Sequence, residues 1–256
     1  MKKVVLISVD AMRPDGFLQC GNSYIKELLS ISTHCLDAQT VFPSVTLPCH
    51  ISLFHSVPPE RHGTVNNIYM PPVRPVNGIF EQVHTAGGIS AMFYGWQQMR
   101  DVCNPGTVMA SEYVFSRFCD NADDYLTDRA LEFANKYKPD FLYLYLPETD
   151  DKGGHDCGWM SENYLKCVSV AVSNIKRVIE ALGDEYTVVI TADHGGHDRT
   201  HGTDMPEDMT IPIFFVGNEF EKGRELHSIS ILDIAPTIAN VMNFPIPREW
   251  EGKSII

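Results

Sequence analysis

A chain of 256 residues can bury roughly 70 to 75 per cent of its unfolded surface, so it needs no disulfide or metal staple to build a core. Its 44% hydrophobic content fits a globular protein, and no apolar run approaches the roughly 20 residues of a membrane span. With 33 acidic and 20 basic residues the formal charge is −13, which excludes an extended nucleic-acid surface but not an anionic substrate, because bound divalent ions reverse a local field.

VVLISV at 4–9 follows two lysines and runs straight into Asp10. That start is too short for a signal peptide and lacks a small-residue cleavage pattern, so it reads as a first strand. A modest helix is expected over 22–30. The segment 40–63, TVFPSVTLPCHISLFHSVPPERHG, begins as a proline-interrupted loop and becomes a helix over about 46–54. Pro48 suits its first turn, and Pro58 and Pro59 end it. A helix over about 78–86 stops at Gly87 and Gly88 and leads into a strand over 88–94. In NADDYLTDRALEFANKYKPD, Asn121 and Asp124 offer caps, Leu126, Ala130, Phe133 and Tyr137 share a face, and Pro139 stops the helix.

FLYLYL at 141–146 reads as a strand. The helix expected over 161–182 carries Leu165, Val168, Val172, Ile175, Ile179 and Leu182 on its buried stripe, with Gly183 at the exit. TVVITA at 187–192 and IPIFFV at 211–216 read as further strands, and a last helix is expected over 234–242. Residues 64–77 and 95–120 fit neither period: they form a small cap or substrate wall, or else ordinary surface loops. With no internal repeat, low-complexity tract or linker, residues 1–256 read as a single catalytic domain.

Short continuous apolar runs separated by helices point to an α/β domain with a largely parallel sheet. In such sheets the ligand site lies beyond the carboxyl ends of the strands. Asp10, Asp150 and Asp193 each follow one of these runs. His155 lies just past Asp150, His194 adjoins Asp193, and His197 and His201 are close behind. Carboxylates and imidazoles gathered at one sheet edge suit metal ions, and so an enzyme. Thr46 stands at a loop-to-helix junction, where free N–H groups favour anions. Alone it would be a helix cap. Beside the Asp/His clusters it reads as a metal-activated nucleophile, with Ser44 a weaker rival. Asn67, in VNNIY, would by itself be a turn former.

Six ordered segments carry a resemblance: LISVDAMRPD (6–15), FPSVTLPCH (42–50), PPERHGTVNN (58–67), ETDDKGGHDCGW (148–159), TADHGG (191–196) and HGTD (201–204). With the ending from residue 233, they resemble the alkaline phosphatase superfamily, and within it the type I phosphodiesterase/nucleotide pyrophosphatase-like branch. That resemblance implies a three-layer sandwich whose largely parallel central sheet is flanked by helices. It implies two zinc ions, although the donor chemistry also admits manganese or iron. One ion would be held by Asp150, His155 and His201, the other by Asp10, Asp193, His194 and Thr46. Asn67 would bind a nonbridging phosphoryl oxygen.

The activity implied is hydrolysis of phosphodiester or pyrophosphate bonds in a nucleotide or other small phosphorylated substrate, through a covalent phosphothreonine. A phosphomonoesterase or a phosphonoacetate-hydrolase-like enzyme is the near alternative, and a noncatalytic metal- or phospholigand-binding protein the alternative of another class. A sulfatase would carry a modified cysteine in the nucleophile motif, and Cys49 is not at that position.

The chain departs from the family pattern in two ways. The family aspartate usually precedes its histidine by four positions, which is the spacing of Asp151. Asp150 matches the preceding E-T-D context and is assigned as the ligand, with one residue inserted and Asp151 the alternative. The chain is also shorter than the secreted animal enzymes, so nucleotide specificity does not carry over.

His50 and His62 match positions that support the nucleophile loop, while His197 and Cys157 have no family ligand role. Arg13, Tyr69, Tyr94, Trp96 and Trp159 are candidates for a pocket wall or for ordinary packing. Seven scattered cysteines with no C-x-x-C pair read as reduced thiols. Together with the missing export signal, they give a cytoplasmic location as the expectation.

Overall fold

The computed structural model describes residues 1–256. Strands β1 (Lys3–Val9), β2 (Thr33–Gln39), β3 (Ser90–Tyr94), β4 (Ala110–Tyr113), β5 (Phe141–Leu146), β6 (Tyr186–Thr191) and β7 (Thr210–Val216) form one sheet in the order β2-β7-β6-β1-β5-β3-β4. β1 pairs parallel with β5 and β6, and β3 pairs parallel with β5 and β4. β7 runs antiparallel to both β6 and β2. Every residue of β5 and β6 is buried, as is all of β1 beyond Lys3, because helices cover both faces. Strands covered on both faces need no polar alternation, and their sequences show none.

The helices are α1 (Pro14–Gln19), α2 (Ile25–Ile31), α3 (Thr46–His55), α4 (Pro59–His62), α5 (Ile79–Thr85), α6 (Ala122–Tyr137), α7 (Glu162–Leu182), α8 (Pro206–Met209) and α9 (Ile234–Met242). α1, α6 and α7 pack together on one face of the sheet, and α3, α5 and α9 on the other. This is the expected α/β sandwich, with a mixed, mostly parallel sheet. No helix is long and apolar enough to cross a membrane.

The structure corrects the sequence reading at several elements. β2 and β4 were not expected as strands. β4 alternates between half-buried and exposed positions at the sheet edge, and THCLDAQ in β2 mixes polar and apolar residues. Neither forms the apolar run that marks an inner strand. Residues 95–120 therefore hold an edge strand and short 3-10 turns, whereas 64–77 has no helix or strand. α1, of six residues, is too short to display a helical period.

On α6 the buried row is Leu126, Ala130 and Ala134, flanked by Asp123 and Thr127, while Tyr137 is exposed and Phe133 only half-buried. Asn121 occupies the N-cap of α6 without a side-chain cap; the Ala122 N–H donates instead to Glu148. On α7 the stripe is rotated slightly, with Tyr164, Ala171 and Val178 buried and Leu165 and Ile179 at its margin. Ser161 caps that helix, accepting from the Tyr164 N–H.

Candidate active site

β6, β1 and β5 are neighbours, and each delivers one aspartate to the same end of the sheet. Asp10 directly follows β1, Asp193 lies two residues past β6, and Asp150 lies in a π-helical turn, Thr149–His155, just beyond β5. All three are buried, Asp193 completely. α3 starts at Thr46, with Val45 as an extended N-cap; the Thr46 hydroxyl lines the same cleft as Asp10 and Asp150, and the Thr46 N–H is the free one of the first turn, since the Leu47 N–H donates to Asn67 and Pro48 has none.

The π-helical turn accounts for the inserted residue. In an α-helix, side chains five positions apart point about 140° away from each other. Hydrogen bonding from i to i+5 widens the turn and brings such side chains nearly into line. Asp150 and His155, five apart, thereby meet: Asp150 Oδ2 is 3.4 Å from His155 Nε2, and Asp150 Oδ1 is 3.9 Å from His201 Nε2. Asp151, at the edge of the cleft, is engaged instead by Ser116 Oγ, from which it accepts, and lies 3.5 Å from Arg117 Nε. Asp150, and not Asp151, thus lies against His155 and His201.

His194 stands between two groups. Ligand atoms of Asp10, Asp193 and His194 all lie within 4.8 Å of one another, and so do those of Asp150, His194 and His201. His194 Nε2 is 3.5 Å from Asp10 Oδ1, 3.3 Å from Asp193 Oδ2 and 3.2 Å from Thr46 Oγ1. Its ring stacks on His201 with centroids 3.9 Å apart. His155 is at the outer edge, its ring centroid 5.2 Å from that of His201.

Two observations make these residues fit metal ions. The first concerns proton placement. Nδ1 of His155 faces Arg199 O at 3.0 Å, Nδ1 of His194 faces Gly195 O at 2.7 Å, and Nδ1 of His201 faces Ser44 O at 2.9 Å. Carbonyls only accept, so each Nδ1 carries the hydrogen and each Nε2 turns a lone pair toward the carboxylates. The second is that Asp10 Oδ1, Asp150 Oδ1 and Asp193 Oδ2 are buried acceptors without hydrogen-bond partners. Such groups are costly unless a cation satisfies them.

Electrostatics agree. Burial, then the charges of Asp193 and Asp150, push the Asp10 carboxyl well above the usual carboxylate range. Burial and Asp193 do the same to Asp150. Burial also opposes ionisation of Asp193, but His194, His50 and the Ala11 N–H outweigh it and hold that carboxyl below its ordinary value. Burial, with His194 alongside, pulls His201 down to about 3. Three crowded carboxylates form a cavity that positive charge would relieve.

Asn67, Trp96, Tyr145 and Asp151 line the cleft with Asp10, Thr46, Asp150, His155 and His201, enclosing about 150 Å³. Asn67 reaches it from segment 64–77: its Oδ1 accepts from the Leu47 N–H at 3.0 Å, so its amide group lies beside Thr46 at the mouth of α3. Of the suggested wall residues only Trp96 belongs to the cleft. Arg13 is held by Asp15 and Gly196 O, and Tyr94 stacks on Tyr113. Tyr69 lines a separate small hollow. Trp159 is buried between Gly154 and Gly196, where an added Cβ would come within 2.5 Å and 2.2 Å of its ring.

The other suggested residues also fall outside the cleft. Ser44 donates to Thr203 O, and His197 is bound to Asp208 at 2.7 Å. Cys49 is buried against Thr40, and Cys157 accepts from Asn163.

Two further residues support the site: Tyr145, which the sequence did not single out, and His50, which it placed behind the nucleophile loop. Tyr145 donates its hydroxyl to Asp10 Oδ2. His50, fully buried, donates from Nδ1 to Thr46 O at 2.8 Å with Asp193 Oδ2 at 3.4 Å, and accepts from Ser8 Oγ at 3.0 Å. It ties α3 to the ends of β1 and β6.

A sequence profile of the type I phosphodiesterase/nucleotide pyrophosphatase family matches residues 4–207. The chain belongs to that family. It therefore also belongs to the alkaline phosphatase superfamily, and it carries two Asp/His clusters able to coordinate metal ions.

Mouse ectonucleotide pyrophosphatase/phosphodiesterase 5, solved as an inactive variant in complex with AMP, superposes with a TM-score of 0.82 at 15% identity, covering 96% of each chain. The phosphonate monoester hydrolase from Silicibacter pomeroyi gives a TM-score of 0.78 at 14% identity, covering 100% of this chain and 76% of that one. At such identities these are likenesses of fold. Among curated relatives, 2,3-bisphosphoglycerate-independent phosphoglycerate mutase from Antithamnion sp. is 31% identical over 139 residues, 51% of this chain and 26% of that protein. The match thus spans about a quarter of that relative's length.

Proposed function

We propose that the chain hydrolyses phosphodiester or pyrophosphate bonds in a small substrate through a covalent phosphothreonine formed on Thr46. The observation that carries this reading is the placement of the Thr46 hydroxyl at the start of α3, 3.2 Å from Nε2 of His194, the imidazole common to both Asp/His clusters. Asp10, Asp193, His194 and Thr46 would hold one divalent ion, and Asp150, His155 and His201 the other. Zinc suits these mixed imidazole and carboxylate donors, with manganese or iron as alternatives. When bound, such ions supply Lewis acidity to the attacking and leaving oxygens.

The chain's own residues do the rest. Thr46 Oγ1 attacks phosphorus, the ester or anhydride P–O bond opposite breaks, and the hydroxyl proton is lost to solvent. Water then cleaves the phosphothreonine and restores the hydroxyl. The Thr46 N–H makes no hydrogen bond within the chain and would be available to a nonbridging oxygen. Asn67 lies beside it with its amide nitrogen free to donate to that oxygen. His50 fixes the Thr46 carbonyl and so the pitch of the first turn of α3.

Preference for a diester follows from the walls. None of the nine lining residues is lysine or arginine, and three are aspartates. A monoanionic diester needs less compensating charge than a dianionic monoester, so it fits this lining better. Cys49, buried away from the cleft, supports no sulfatase reading.

The test compares bis-p-nitrophenyl phosphate with p-nitrophenyl phosphate on zinc-reconstituted protein, with Thr46→Ala as control. The diester should be the better substrate, and Thr46→Ala should fall to background while keeping its metal. Near-normal turnover in Thr46→Ala would sink the nucleophile assignment, and a threonine-dependent preference for the monoester would make the enzyme a phosphomonoesterase.

A further inference from the structure

The residue inserted between Asp150 and His155 leaves a π-helical turn carrying both, and π-helical geometry persists only where surrounding structure enforces it. The enforcing contacts are on the side of the turn away from the cleft. Lys152 extends its ammonium to Cys119 O at 2.8 Å, Asp120 O at 3.1 Å and Glu148 Oε1. Glu148 Oε1 also accepts from the Ala122 N–H at 3.0 Å, which starts α6. Asp123, fully buried on α6, returns the contact: its Oδ1 accepts from the Glu148 N–H at 3.2 Å.

These contacts form a closed ring. Glu148, the residue that precedes the π-helical turn, and the first turn of α6 each cap the other, and one ammonium pairs with the Glu148 carboxylate between them. All three donor sites of the ammonium are used, two of them on backbone carbonyls that a solvated lysine would not reach. The side chain is 30% exposed and that of Glu148 10%, unlike the freely solvated i, i+4 pair Glu162–Lys166 on α7.

We infer that Lys152, through Glu148 and Asp123, is a positioning residue that holds the π-helical turn in register, so that Asp150 and His155 face the same point. The inference rests on the metal-ligand reading above. Lys152 touches neither substrate nor ligand atoms; it acts on the backbone that presents them. Without its ammonium the turn can relax to α-helical pitch, which swings His155 away from Asp150 and puts Asp151 at the spacing of the ligand.

The test measures Zn2+ stoichiometry and affinity by competition with a chromophoric chelator, in the wild-type chain and in Lys152→Met, Lys152→Arg and Asp150→Ala, together with the melting temperature of each metal-free protein. Asp150→Ala should lose one of two ions. Lys152→Met should weaken that same ion about 10- to 100-fold, the usual effect of removing support behind a ligand, while leaving the other ion and the metal-free melting temperature close to wild type. Lys152→Arg, which keeps the charge and donors, should restore most of the loss. Wild-type affinity at both sites in Lys152→Met, beside a lost ion in Asp150→Ala, would overturn the inference alone. Two tightly held ions in Asp150→Ala would overturn the metal assignment and the inference with it. If Lys152→Met does not fold, Glu148→Gln removes the same charge pair in a shape-conserving way and is judged by the same outcomes.

Discussion

Tyr145 lies within an apolar strand, yet its hydroxyl donates to Asp10 and its ring packs edge-on against His50, centroids 5.1 Å apart. The bond stabilises a carboxylate that burial and two neighbouring aspartates disfavour. Tyr145→Phe keeps the packing and removes that support. It should lower Zn2+ affinity at the Asp10 site about tenfold, and unchanged affinity in a chelator competition would show that Asp10 needs no such partner. The aspartates themselves were legible because a charge that abruptly ends an apolar run is conspicuous. Tyr145 was not, because an aromatic in a strand has many ordinary uses, whereas His50 was placed behind the nucleophile loop without its partners being known. Only the packing of β5, β1 and α3 shows which use applies. Asp150 and Asp151 could not be separated by spacing alone, since their roles depend on helical pitch.

At the scale of elements, α3 and α4 meet at a buried histidine. The Thr64 N–H donates to His62 Nδ1 at 3.1 Å, so Nε2 carries the hydrogen and donates to Ser52 Oγ on α3 at 3.1 Å. Burial, then His55, pulls His62 from 6.5 down to about 4. The unfolded chain therefore takes up a proton first as pH falls. The stabilisation is complete above pH 6.5 and drains away toward pH 4. Between pH 6.5 and 5 the loss should be about 2 kcal/mol, read from urea midpoints of the metal-free protein. His62→Asn should show a shallower slope by that amount, and equal slopes would mean that His62 does not titrate as described. The inner strands and long helices announced themselves by run and period. β2 and β4 did not, because an edge strand is only partly covered and its sequence is free to be polar.

For the whole molecule, the arrangement concentrates three carboxylates of a chain with net charge −13 at one sheet edge. Chelation should therefore destabilise it. At a thousandfold excess of Zn2+ over Kd the bound form gains about 4 kcal/mol per site. For a domain of this size that corresponds to roughly 10 °C in Tm, and a melting temperature unmoved by Zn2+ or by chelator would count against tightly held ions.

The cleft also has two origins. Its reactive groups sit on strand ends and the start of a helix, whereas Asn67 and Trp96 come from segments 64–77 and 95–120, outside the inner strands. The wall of the cleft and the carboxylates at its floor are thus supplied by different parts of the chain, so a change in segment 95–120 can reshape the space beside Trp96 without moving a strand end.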